Sequence, residues 1–366
     1  MNKKTFQIIF LVCLLMTKTS FSFFHSIKIE KTDCYKNLMN GNFYEATPLC
    51  LDLIKEMEDE NYYGEDYVGM IYFTGISALR SADYKIVKNL FDKLFNYVEK
   101  NQGENYLYYE IHSVILYASF LLEHQVNIHL ADKLLKKYMP IAKKQSINFF
   151  GNQRMKDQSI ILLEVASTKL ILSKNNHNNF QEISNIDYIN QIKNLNNLFP
   201  KLKQIEEYKS GNINVDKENY NFRLKLNLAL ADLHSQIDQF DLAEKYILDN
   251  ISIVNDYDLP EFTKSNHYME AGFFYNNIAI FSEDIEDYNK TIKYLTKALE
   301  YIEKNPLMKK EPAYGSVLDT IANAYWFLDK TEEGYKYSKQ AAELSLSRLY
   351  QKVSQDILFS DSYELE

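Results

Sequence analysis

Apolar residues fall in helical blocks along the chain, and one arrangement of them recurs. A small residue sits inside an apolar stretch, a short polar turn follows, then comes an aromatic, and three residues later a small or apolar residue opens a second helix. Near the C-terminus it reads Tyr275, Ile278, Ala279, the turn Glu286, Asp287, Tyr288, then Thr291, Leu295 and Ala298. The next copy runs Leu318, Ile321, Ala322, Tyr325, then Gly334, Ser338 and Ala341. Upstream, Leu230 and Ala231 lead through Asp238, Gln239 and Phe240 to Ala243 and Ile247. Ile71, Thr74 and Gly75 lead through Asp83 and Tyr84 to Val87, Phe91 and Leu94, and Ala118 and Ser119 lead through Asn127 and Ile128 to Ala131 and Leu135. The first copy is Gly41, Asn42, Phe43, Tyr44, Glu45, Ala46, then Cys50 and Leu53.

The small residue of each first helix precedes the small residue of the second by about twelve positions. Two antiparallel helices approach closely where small residues face one another, and the turn aromatic then plugs the end of the pair. Such a pair cannot bury its faces alone and must stack on its neighbours. The helix-opening positions Ala46, Val87, Ala131, Ala243, Thr291 and Gly334 lie 41, 44, 112, 48 and 43 residues apart. The long interval leaves room for a further pair, a helix over 153–172 and one over 183–208, joined by an Asn-rich turn at 173–179. A turn-like stretch, Ser210, Gly211, Asn212, Ile213 and Asn214, separates two sub-arrays. Over 345–358, Leu346, Leu349, Tyr350, Val353 and Ile357 share one face, as the end of the last helix or a capping helix.

The segments from Tyr275 to Ala298, Gly41 to Leu53 and Ile321 to Ala341 resemble tetratricopeptide repeats. That family repeats about every 34 residues, so the units here are longer than its standard. The resemblance implies an all-α fold, an α-solenoid of about seven antiparallel helical hairpins, divided into 23–209 and 210–366. Composition agrees: only 10 Gly and 6 Pro in 366 residues leave too few turn residues for a sheet-rich fold. The 29 tyrosines beside one Trp, with abundant Asn, Lys and Ile, fit the codon bias of an AT-rich genome.

Residues 1–22 read as a secretory signal. Lys3 and Lys4 precede an apolar run over 6–16, and Ser20, Phe21 and Ser22 suit a signal peptidase. Cys13 is a poor lipidation site, with Val12 where a small residue is needed. Cleavage removes Lys3, Lys4 and Lys18 and takes the net charge from −9 to −12. The mature chain is therefore expected to be periplasmic or secreted, without stable membrane insertion, and unsuited to nucleic acid. Cys34 and Cys50 fall on the two helices of the first pair. They form either a disulfide, after a small slide of one helix, or two small buried thiols.

Motifs for catalysis are missing: no phosphate-binding glycine loop, H-E-x-x-H, G-x-S-x-G or C-x-x-C occurs. The run over 59–64 starts like a calcium loop, but Met70 stands where the bidentate Glu belongs. His124 and His129 lie on different helix faces, and Asp284 with Asp287 reads as a solvated turn. No enzyme, metal or cofactor is expected. In the family resembled, first helices line a concave groove that takes its ligand. Carried over by position, the groove residues are Tyr72 and Ile76, Leu116 and Phe120, Leu228 and Asp232, Asn276 and Ile280, and Asp319 and Asn323, with Arg80, His124 and Trp326 at the edge. For any one of them, ordinary packing between repeats is the alternative. The function implied is an exported, non-catalytic scaffold, or a sensor or regulatory module, that binds a protein or peptide. A small-molecule or glycan binder is the other reading.

Overall fold

The computed structural model describes residues 32–40, 43–81, 84–101, 104–123, 127–144, 153–175, 183–207, 213–304, 308–310 and 312–360. The signal segment, Cys13 and the 210–212 part of the expected break lie outside them, and Ile213 and Asn214 open a helix. The described residues are all-helical, with no strand. In chain order the helices are α1 (Asp33–Asn40), α2 (Phe43–Asp59), α3 (Glu65–Ser81), α4 (Tyr84–Asn101) and α5 (Glu104–Glu123). There follow α6 (Ile128–Lys143), α7 (Gln153–Asn175), α8 (Asn185–Asn196), α9 (Phe199–Glu207) and α10 (Ile213–Gln236). The rest are α11 (Phe240–Asp256), α12 (Glu261–Ser282), α13 (Ile285–Ile302), α14 (Pro312–Phe327) and α15 (Thr331–Ser360), with a 3₁₀ turn at Met308–Lys310. They form two compact units, one ending at Tyr246 and the other starting at Ile247, a division that falls within α11.

Neighbouring helices pack on one another: α1 on α2, α2 on α3, α3 on α4, α5 on α6, α6 on α7, and in the second unit α12 on α13 and α14 on α15. A second set of contacts skips a helix, joining α3 to α5 and α5 to α7 in the first unit and α12 to α14 in the second. The recurring small positions lie at the bottom of this packing. Ala46, Val87, Ala131, Ala243 and Thr291 are all 0% exposed, and Gly334 is buried. Small residues meet at Thr47 and Ser77, whose hydroxyls lie 2.8 Å apart between α2 and α3, whereas three glycines have large neighbours. A methyl on Gly75 would lie 2.8 Å from the Phe91 ring, one on Gly272 would run into Leu295, and one on Gly334 would lie 3.0 Å from the Trp326 indole. The small residue makes room for a large side chain of the facing helix, which fills the gap at native density.

Turn aromatics divide into two kinds. Tyr288 is buried with Ala279 and Ala324, and Ile292 and Leu328 pack against that cluster. Phe240, at the corresponding turn before α11, is exposed. Asp238, Glu283 and Asp329 close the ends of α10, α12 and α14 in the left-handed region, with φ of 57°, 55° and 56°. A single such residue ends a helix and reverses the chain.

The helix expected over 183–208 is two helices. Asn197 caps α8, and α9 restarts at Phe199 with Pro200 in its first turn. Pro200 has no N–H and its ring crowds the preceding turn, which favours the break just before it, although Pro48 and Pro140 sit inside the continuous α2 and α6. At the other end α15 runs unbroken from Thr331 to Ser360, so the C-terminal apolar stretch belongs to the last helix.

Cys34 on α1 and Cys50 on α2 are joined by a disulfide, their Cα atoms 4.8 Å apart. Helix α7 is buried on all sides, packed by α5, α6, α8, α9 and α10. Its sequence is not apolar all round, and the polar residues are matched by partners. Asp157 accepts from Lys201 at 2.5 Å, Lys156 donates to the Lys144 carbonyl at 2.5 Å, and Glu164 accepts from Lys143 at 2.5 Å and Gln191 at 3.1 Å. Without these partners each buried group would cost several kcal/mol.

Candidate functional site

The first unit presents a run of aromatic and polar side chains across α3, α5 and α7. It starts at Tyr72 on α3, whose ring lies 5.6 Å from that of Tyr109 on α5. Tyr109 meets Tyr108 edge-on at 5.7 Å, and Tyr108 lies 4.3 Å from the His112 ring one turn further along α5. His112 Nε2 is then 3.0 Å from the Ser159 hydroxyl on α7. Spacing explains the geometry: positions four apart on a helix share a face, so Tyr108 and His112 point the same way towards α7.

The Ser159 hydroxyl lies between two partners, the Met155 carbonyl at 2.9 Å and His112 Nε2 at 3.0 Å. Burial pushes the imidazole down to about 4, and the nearby Lys225 ammonium adds to the effect. His112 is therefore neutral near pH 7. The pair works as a polar tie between α5 and α7.

Two charged groups lie further along. Asp232 on α10 keeps its side chain in water while protein crowds it closely, and that loss of hydration pushes its carboxyl up to about 6, with Lys169 of α7 pulling the other way. Lys225, also on α10, is exposed. Helix α10 packs on α7, so all of these residues lie on helices in mutual contact.

The groove positions named from the sequence have different fates. Tyr72 and Phe120 are buried, at 4% and 5% exposure. Ile76, Leu116 and Leu228 are half-buried, and Asp232 is exposed. In the second unit Asn276 is half-buried, while Ile280, Asp319, Asn323 and Trp326 are exposed. Trp326 covers Gly334 and lies within 3.4 Å of the Ser338 hydroxyl. The side chains of Arg80 and His124 lie outside the described residues. Tyr108, Tyr109, His112 and Ser159 were not among the sequence candidates, and they come together only because α5 and α7 pack in one register. His112 and Tyr108 at a four-residue spacing were the one trace of this in the sequence.

Other candidate chemistry resolves into turns and caps. Asp284 accepts the Glu286 N–H at 2.9 Å and so caps α13, and Asp287 accepts from Ser282 at 3.2 Å. The acidic run after α2 is a turn, with Asn61 and Gly64 at positive φ. Among the described residues no group of three potential metal ligands occurs, and no helix is long and apolar enough to cross a membrane.

No protein-family model matches the chain, and no curated protein matches its sequence at a significant level.

Proposed function

We propose that the chain is an exported, non-catalytic helical-repeat scaffold of the tetratricopeptide-like kind, in which the first helices form a groove for a protein or peptide partner. The observation that carries this reading is the skipping set of contacts, α3 to α5 to α7, with α7 meeting α10. Such contacts are what stacked hairpins produce when every first helix touches the next, and they leave one face lined by successive first helices. The exposed Lys225 and Asp232 and the half-buried Ile76, Leu116 and Leu228 lie on these helices and would give such a face both charged and apolar groups. An extended peptide offers partners for both kinds. The Cys34–Cys50 disulfide fits an oxidising compartment, which supports export.

The test is site-specific photo-crosslinking in the native host. A photoreactive residue at Asp232 or Lys225 is expected to trap one defined protein, and the same group at the exposed His129 is expected not to. Equal labelling from all three positions would sink the reading. A thermal shift produced by sugars and not by peptides would replace it with the glycan reading.

A further inference from the structure

The turn edge of the second unit holds large apolar side chains in water. Phe281 is 84% exposed, Ile285 65% and Phe327 63%. Phe281 and Ile285 flank the left-handed Glu283 at the α12–α13 turn, and Phe327 ends α14 at the next turn. The two turns meet. Phe327 stacks on Tyr288 with ring centroids 4.8 Å apart, and Tyr288 sits one helical turn after Ile285. Tyr288 is buried with Ala279 and Ala324, so α12, α13 and α14 together make a firm floor beneath the exposed residues. Large apolar side chains left in water forgo the gain of burial. Scattered singly such residues mean little, but neighbouring ones mark a contact surface.

The rim is acidic. Glu283, Asp284, Glu286, Asp329, Glu332 and Glu333 are all exposed, and over 281–290 and 327–336 seven carboxylates stand against three lysines. Helix capping accounts for Asp284, which holds the Glu286 N–H. It accounts for none of the exposed apolar side chains.

We infer that this edge docks a cationic amphipathic segment of a partner protein. The apolar ridge of that segment rests on Phe281, Ile285 and Phe327, and its Lys or Arg residues face the surrounding carboxylates. Apolar contact supplies the affinity, and the charges supply orientation and selection against acidic segments. The edge shares none of these anchors with the first-helix groove, so its test leaves the groove reading untouched.

The probe is a fluorescent 18-residue helical peptide of Leu and Lys with one apolar face, titrated into the full mature chain and followed by anisotropy. Its counterpart carries Glu in place of every Lys. The Lys peptide is expected to bind at least tenfold more tightly than the Glu peptide and to weaken as salt is raised. Phe281→Ser with Ile285→Ser is expected to weaken it at least tenfold with unchanged far-UV circular dichroism, and the single Phe281→Ser variant to weaken it less. Glu283→Lys with Glu286→Lys is expected to narrow the preference between the peptides, and Asp52→Lys, at an exposed carboxylate of α2, to leave it unaltered. Failure of the Lys peptide to bind, equal binding of both peptides, or indifference to the Phe281 and Ile285 substitutions would overturn the inference. So would sedimentation showing a dimer that Phe281→Ser converts to monomer, since a second copy would then be the occupant.

Discussion

Single residues here carry effects that depend on where the helices place them. His112 is the clearest. In the folded chain its imidazole is held down at about 4, against an ordinary value of 6.5. The folded state therefore binds fewer protons than the unfolded one over that window. Its contribution to stability is fully present above pH 6.5 and is lost as the pH falls towards 4. The shift corresponds to at most about 3–4 kcal/mol. Urea unfolding is expected to show His112→Gln flattening the fall in stability between pH 6.5 and 4. An unchanged slope would mean that other groups set the acid sensitivity. Only the four-residue spacing to Tyr108 marks His112 in the local sequence of α5, because its partner, Ser159, lies 47 residues away.

Helix pairs are decided by how large and small side chains interlock. Gly272 has Leu295 where a Cβ would go, and the Leu295 backbone nitrogen lies 3.2 Å away, so the conflict does not involve a flexible side chain alone. Alanine is the better helix former by about 1 kcal/mol, but overpacking costs about 1–3 kcal/mol. Gly272→Ala is expected to destabilise the second unit by about 1 kcal/mol net. In a double-mutant cycle, Gly272→Ala combined with Leu295→Ala should lose less than the sum of the two, because the added methyl occupies part of the space Leu295 vacates. Strict additivity would show that the two side chains do not compete. The recurring small positions were legible in the sequence, since a period of small residues survives any detail of packing. That Gly75, Gly272 and Gly334 each face a large side chain was not legible, because the facing residue is set by the register of two helices.

Across the whole molecule, the division at residue 246 and the position of the disulfide give a prediction about cooperativity. The bridge spans 16 residues within the first unit, and closing a loop of that length stabilises by about 3 kcal/mol. The only Trp in the chain, Trp326, lies in the second unit against Gly334 and Ser338. Replacing both Cys34 and Cys50 by serine is expected to lower the unfolding midpoint seen by far-UV circular dichroism and to leave that seen by Trp326 fluorescence in place. If the two midpoints move together, the chain unfolds as one cooperative body.

By itself the sequence determined the helical class, the recurring small positions that end up buried and the two cysteines within reach of one another. These are local properties: a helix follows from its own periodicity and turn residues, and two cysteines at the ends of one short hairpin have few ways to be far apart. Pro200 was equally local, but Pro48 and Pro140 sit inside unbroken helices, so a proline alone did not place the break within 183–208. Tertiary structure alone decided that the polar helix α7 would be buried, that Tyr288 would be covered while Phe240 stayed exposed, and that His112 would meet Ser159. Each of those depends on groups far apart in sequence, whose burial and proton balance exist only once the helices have packed.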